Sequence, residues 1–140
     1  MAQTAIQTSS DKKPMFTKAF STFSVNDLQK AKAFYGETLG LKINDEKVGF
    51  GLEFEDGPKL FIYPKANHEP ATFTVLNFSV DAISPAVEQL AAVGIKFESY
   101  EGEMKTDENG ICWGKRAGGH GPNIAWFKDP AGNFLSVVEA

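Results

Sequence analysis

Cysteine and arginine are scarce in this chain, and each scarcity closes off a chemistry. A single cysteine, Cys112, excludes an internal disulfide and a cysteine-rich zinc knuckle. One arginine, Arg116, among fourteen basic residues leaves little for bidentate phosphate recognition. No run approaches the roughly 18 apolar residues of a membrane span, so no membrane partner is expected. Eighteen acidic against fourteen basic side chains give a net charge of -4. That balance suits neither nucleic acid nor an anionic bilayer. Walker, Rossmann and serine-elbow motifs are missing, and Gly118-Gly119-His120-Gly121 lacks the lysine of a phosphate loop.

What is present is a chain built to fold. Of its 140 residues 42% are hydrophobic, with twelve phenylalanines, which argues against disorder and suits one domain. The opening MAQTAIQTSSDKKP has no long apolar core. It reads as a flexible tail over residues 1–14, not a signal peptide, and makes the cytoplasm the expected compartment.

The organising stretch is FSVNDLQKAKAFYGETLGL, residues 23–41. It reads as a strand end, a capped turn, a helix and a glycine stop. A looser copy, FSVDAISPAVEQLAAVGIKF, begins at Phe78. Gly40 and Gly94 close the two helices, since glycine accepts the left-handed conformation at a helix end. Two related modules are therefore expected, over residues 15–68 and 72–140, with a binding site between them.

Period-two alternation marks the first strand. In module one the strands fall at 16–25, 41–43, 48–54 and 59–63, the last pair joined by Glu55-Asp56-Gly57-Pro58, a hairpin signal. Asn26 or Asp27 is the expected cap of the first helix. In module two strands are expected at 72–80, 95–100, 123–128 and 133–139, with a short additional strand at 111–115 set aside. Ser84 before Pro85 reads as the cap of the second helix. The order is βαβββ twice, an α+β chain. One face of each sheet is covered by its helix and the other needs a partner.

The run Val25-Asn26-Asp27-Leu28, Phe34-Tyr35 and Leu39-Gly40-Leu41 resembles the opening of the vicinal oxygen chelate superfamily. Phe127-Lys128-Asp129-Pro130-Ala131-Gly132-Asn133 resembles its closing motif. That group holds glyoxalases, bleomycin-resistance proteins, extradiol dioxygenases and epimerases. The resemblance covers residues 16–139 and implies paired βαβββ modules with cupped sheets, and a homodimer. Its metal-using members ligate a divalent ion through His, Gln or Glu. Carried over one at a time, those positions fall on Phe20, Val75 and Ser136, with the module-one carboxylate near Phe61. Phe and Val offer no lone pair and a neutral serine is a poor ligand, so no metal or other cofactor is expected.

Phe20 with Thr22, and Val75 with Asn77, read instead as an apolar wall with two orienting polar groups, suited to a small organic molecule. Trp113 and Trp126 either line the cavity or pack in a core or dimer interface. Phe20 and Phe61 either leave the pocket open or plug it. Arg116 either meets a ligand carboxylate or sits in a solvent loop. His120, among glycines, is a lid candidate or a surface residue, and His68 reads as an exposed connector. For catalysis the sequence offers only His120, Cys112 and Glu139. A non-standard metal site would need His68 and His120 to meet with Glu69 or Glu139. The leading expectation is a metal-free binder of the bleomycin-resistance type. A divergent glyoxalase-like lyase or isomerase, and an interaction module with a closed cleft, are the alternatives.

Overall fold

A computed structural model describes residues 15–55, 57, 59–114 and 121–139. Module one runs β1 (Ser21–Val25), α1 (Leu28–Lys32), a π-helical stretch (Ala33–Thr38), β2 (Lys42–Asp45), β3 (Phe50–Glu53) and β4 (Leu60–Pro64). Module two runs β5 (Thr74–Val80), α2 (Ile83–Ala92), a 3-10 turn (Gly102–Met104), β6 (Ile111–Trp113), β7 (Asn123–Lys128) and β8 (Phe134–Glu139). The sheets are ordered β1-β4-β3-β2 and β5-β8-β7-β6. In each, the first strand lies parallel to the last and the others are antiparallel. The paired βαβββ architecture is thus as the sequence implies.

Three local expectations are corrected, and one left open between two residues is resolved. β1 begins at Ser21, not at residue 16, because its only strand partner among the described residues, β4, begins at Leu60 opposite Ser21. Residues 95–100 are not a strand. Phe97 makes one bridge to Phe127, while the set-aside segment supplies β6 on the same edge of β7, beside residues 123–125. Asp27, not Asn26, caps α1, its carboxylate accepting from Lys30 N at 3.1 Å. Ser84 lies inside α2; the cap residue is Ala82, and the Glu139 carboxylate at the end of β8 accepts from Ile83 N at 3.0 Å. Within the expected hairpin turn, Asp56 and Pro58 lie outside the described residues.

Gly40 and Gly94 do end the helices, with φ of +73° and +97°. The expected single helix over residues 28–38 changes pitch at Ala33: Leu39 N donates to Phe34 O at 2.9 Å, a five-residue spacing. The wider turn brings both Phe34 and Tyr35 onto aromatic neighbours. Phe34 lies 6.5 Å from Phe127 of module two and 5.1 Å edge-on from Tyr35.

The helix-side faces of both sheets merge in one apolar core. Phe23, Val25, Phe50, Leu52 and Ile62 come from module one, and Val87, Phe127, Leu135 and Val137 from module two. At its centre is a buried polar knot. The Tyr35 hydroxyl donates to Asp129 Oδ2 at 2.7 Å, and Asn133 Nδ2 donates to the same oxygen at 3.0 Å. Asp129 Oδ1 accepts from Ala131 N and Asn133 N, both at 2.9 Å. Asn133 Nδ2 also donates to Ser24 O of β1 at 2.9 Å. The turn between β7 and β8 therefore holds both the helix and the first strand of module one. Burial, then the Asp129 charge and hydrogen bond, keep the Tyr35 hydroxyl protonated far above the usual tyrosine range.

Two stability outcomes follow from these contacts. Tyr35→Phe is expected to cost about 1.5–3 kcal/mol, the range for a hydrogen bond to a charged group, read as a drop in urea midpoint. Because folding raises the Tyr35 pKa, its contribution is complete below the unfolded tyrosine value of about 10 and declines as pH rises past it. The variant should therefore lose less stability above pH ~10 than the wild type. Glu139→Ala removes the long-range cap of α2 and should cost about 1–2 kcal/mol in the same assay.

Candidate functional site

The faces turned away from the helices carry the candidate site. Strand alternation and register place Asn77 of β5, Ser136 of β8 and Trp126 of β7 in one row across the outer face of module two. Ser136 is fully buried and its hydroxyl donates to Asn77 Oδ1. Val75, partly buried, sits at the register shift between Thr74 and Leu76. On module one Thr22 and Phe61 are likewise cross-strand partners, and Thr22 Oγ1 donates to Phe61 O at 2.8 Å. Phe61 stacks on Tyr63 with centroids 6.4 Å apart and planes 9° from parallel. Phe20 precedes β1 and is 67% exposed.

Four side chains that the sequence reading did not single out, three of them aromatic, complete the module-two face. Phe73, Tyr100, Met104 and Phe134 join Trp126 around a groove of about 230 Å³. Tyr100 meets the Trp126 ring edge-on at 5.4 Å. Burial and the neighbouring Glu98 raise the Tyr100 pKa, so its hydroxyl remains a neutral donor. The Lys128 ammonium lies 5.0 Å from the Phe134 ring centroid and 3.9 Å from Glu98. A larger hollow of about 680 Å³ runs along the edge of β5 away from β8, unpaired among the described residues, with Val75 and Asn77 on one side and Phe54 and Lys59 on the other. Phe134 was legible in the sequence, since it lies two residues from Ser136 on an alternating strand. Tyr100 and Met104 come from irregular backbone and carry no such signal.

Other candidates lie elsewhere. Trp113 pairs with Asn123 on the helix-side face, and its indole N–H donates to Asp107 Oδ2 at 2.8 Å. Cys112 is buried opposite Ile124. Glu139 caps α2 and accepts from Asn123 Nδ2 at 2.7 Å through its other oxygen. Arg116 and His120 lie outside the described residues. His68 is not the exposed connector expected: it is partly buried, with Nδ1 2.7 Å from Ser24 Oγ and Nε2 3.0 Å from Ala131 O.

The divalent ion of the metal-using relatives does not fit these residues. Phe20, Phe61 and Val75 have no donor atom, and the Ser136 hydroxyl is engaged with Asn77. Among the described residues no three His, Cys, Asp or Glu side chains gather closely enough to hold a metal.

Comparison with known proteins places the fold. No curated protein matches the chain. The chain is similar to a solved superfamily member from Sphaerobacter thermophilus DSM 20745, at 22% identity and a TM-score of 0.64, covering 91% of this chain and 100% of that one. It is similar to TnmS3, an antibiotic binding protein from Streptomyces sp. CB03234, at 19% identity and a TM-score of 0.62, covering 90% and 98%. It is also similar to a bleomycin resistance determinant encoded on the transposon Tn5, at 21% identity and a TM-score of 0.62, covering 89% and 98%. At these identities the structural likeness speaks for the fold alone. The family model matches residues 19–137, nearly the whole chain, which makes this protein a member of the Glyoxalase/Bleomycin resistance protein/Dioxygenase superfamily.

Proposed function

We propose that the outer face of module two binds a small, largely aromatic organic molecule without a resident metal, and that this face sequesters it without chemistry. The observation that carries this reading is the aromatic groove: Trp126 and Tyr100 meet edge to face and Phe134 lies nearby. The resemblance adds that Phe20, Val75 and Ser136, none of them a good metal ligand, fall on the family's ligand positions. Flat rings gain both buried area and quadrupole contacts from such walls. The Tyr100 hydroxyl and the Asn77–Ser136 pair supply a few polar groups for orientation. Two proteins of similar fold, an antibiotic binding protein and a bleomycin resistance determinant, are compatible with this class of function.

The working unit we infer is a homodimer. The Trp126 groove, about 230 Å³, falls below the roughly 300–1,000 Å³ of drug-sized sites, and a second copy facing it would enlarge it. Phe20 and Phe73, each 67% exposed, and Met104, 50% exposed, are apolar groups that a second copy would cover.

Calorimetric titration with naphthalene alcohols, acids and amines tests the reading. At least one should bind in protein stripped of metal by chelation, and Trp126→Ala should weaken it about tenfold or more, a loss of ~1.4 kcal/mol. Equal binding by that variant, or binding only after a divalent ion is restored, would contradict it. Sedimentation at micromolar concentration should give a dimer.

A further inference from the structure

Ser24 and His68 form a hydrogen-bonded pair whose proton direction is fixed by chemistry. Ala131 O can only accept, so the Nε2 atom 3.0 Å away carries the ring hydrogen. In the neutral ring Nδ1 then holds a lone pair, and the Ser24 hydroxyl 2.7 Å away donates to it. That is the arrangement of a nucleophile, a base and a third group that orients the base. Both ends are held in place. Asn133 Nδ2 fixes the Ser24 carbonyl at 2.9 Å, and the closing turn that supplies Ala131 is tied to the buried Asp129. Neither residue is fully buried, and Ser24 lies on the outer face of β1. Tyr63 is its cross-strand partner, with a ring stacked flat on Phe61.

We propose that Ser24 is an acyl-accepting nucleophile, with His68 as its general base, toward small aryl esters. Ser24 Oγ attacks the ester carbonyl carbon while its proton passes to Nδ1. The bond from that carbon to the aryl oxygen breaks, and the departing phenoxide takes the proton from Nδ1. The acyl group is left on Oγ. Water, deprotonated by the same nitrogen, then cleaves it to a carboxylic acid and restores the serine, so ester and water give acid and phenol. Throughout, Nε2–H keeps its bond to Ala131 O, which stabilises the transient imidazolium. The flat Tyr63 and Phe61 rings beside Ser24 select an aromatic leaving group. General-base help of this kind is worth about 10²–10⁴-fold, which restricts the reaction to esters with a good leaving group. The inference goes beyond the binding reading and is independent of the Trp126 groove.

The test uses the full chain and p-nitrophenyl acetate. Peptide mass spectrometry of the wild type should find one acetyl group, on Ser24, accompanying release of p-nitrophenolate. Ser24→Ala should abolish the label. His68→Gln, whose side-chain amide retains a donor for Ala131 O, should slow the release at least about tenfold. Thermal melts establish that each variant is folded, and the wild-type mapping needs no variant at all. Acetyl groups on lysines alone, an unreactive wild type, or an undiminished rate in folded Ser24→Ala would each overturn the proposal and leave Ser24 and His68 a purely structural clasp between the modules.

Discussion

A buried carboxylate organises this molecule. Asp129 is 4% exposed and accepts from Tyr35, Ala131 and Asn133, the last through both main chain and side chain. An unpaired charge at such depth would cost several kcal/mol, so the donors are a condition of folding and not an embellishment. Three are contributed by the turn itself, two from its backbone and one from the Asn133 side chain, and one by a helix in the other module. The turn cannot form its full set of bonds unless module one is docked. Asn133 extends the same constraint to β1 through Ser24 O. Local turn formation and module docking are thereby made one event.

That coupling determines which surfaces are left for function. The modules join through their helix-side faces, where Phe34 meets Phe127 and Phe54 meets Phe78. The opposite faces remain available, and both are aromatic: Phe61 and Tyr63 on one, Tyr100, Trp126 and Phe134 on the other. Polar atoms there are spent on one another. Thr22 serves Phe61 O, and Ser136 serves Asn77. A surface with satisfied hydroxyls and flat rings is suited to hold an organic molecule, and poorly suited to strip water from a divalent ion. Ser24 and His68 differ from this background, since their hydrogen bond joins a hydroxyl to a basic nitrogen.

The fold was largely legible because its signals are local. Alternation marks β1, the repeated Phe-Ser-Val marks the duplication, and Gly40 and Gly94 mark the helix ends. Errors arose where a distant residue decided the outcome. Glu139, 56 positions from Ile83, caps α2 in place of the nearby Ser84. The Tyr35–Asp129 bond spans 94 positions, and no spacing rule announces it. His68 looked like a connector because its two partners, Ser24 and Ala131, lie 44 and 63 positions away. The strand at 95–100 failed for a different reason: β6 competes for the same edge of β7, and a period-two pattern cannot rank competitors. The candidate site was legible only for residues on regular strands, such as Trp126 and Ser136.

The claim on which the functional account rests is that the outer faces take an organic ring and not a metal ion. Amide and indole proton–nitrogen spectra, recorded as zinc, nickel or manganese is added to chelator-treated protein and then as naphthol is added, read both faces at once. The account predicts that the ions leave residues 20, 75 and 136 undisturbed, while the aromatic compound shifts the indole of Trp126 and the side-chain amide of Asn77. Saturable shifts or paramagnetic broadening centred on Ser136 at one ion per chain would contradict it.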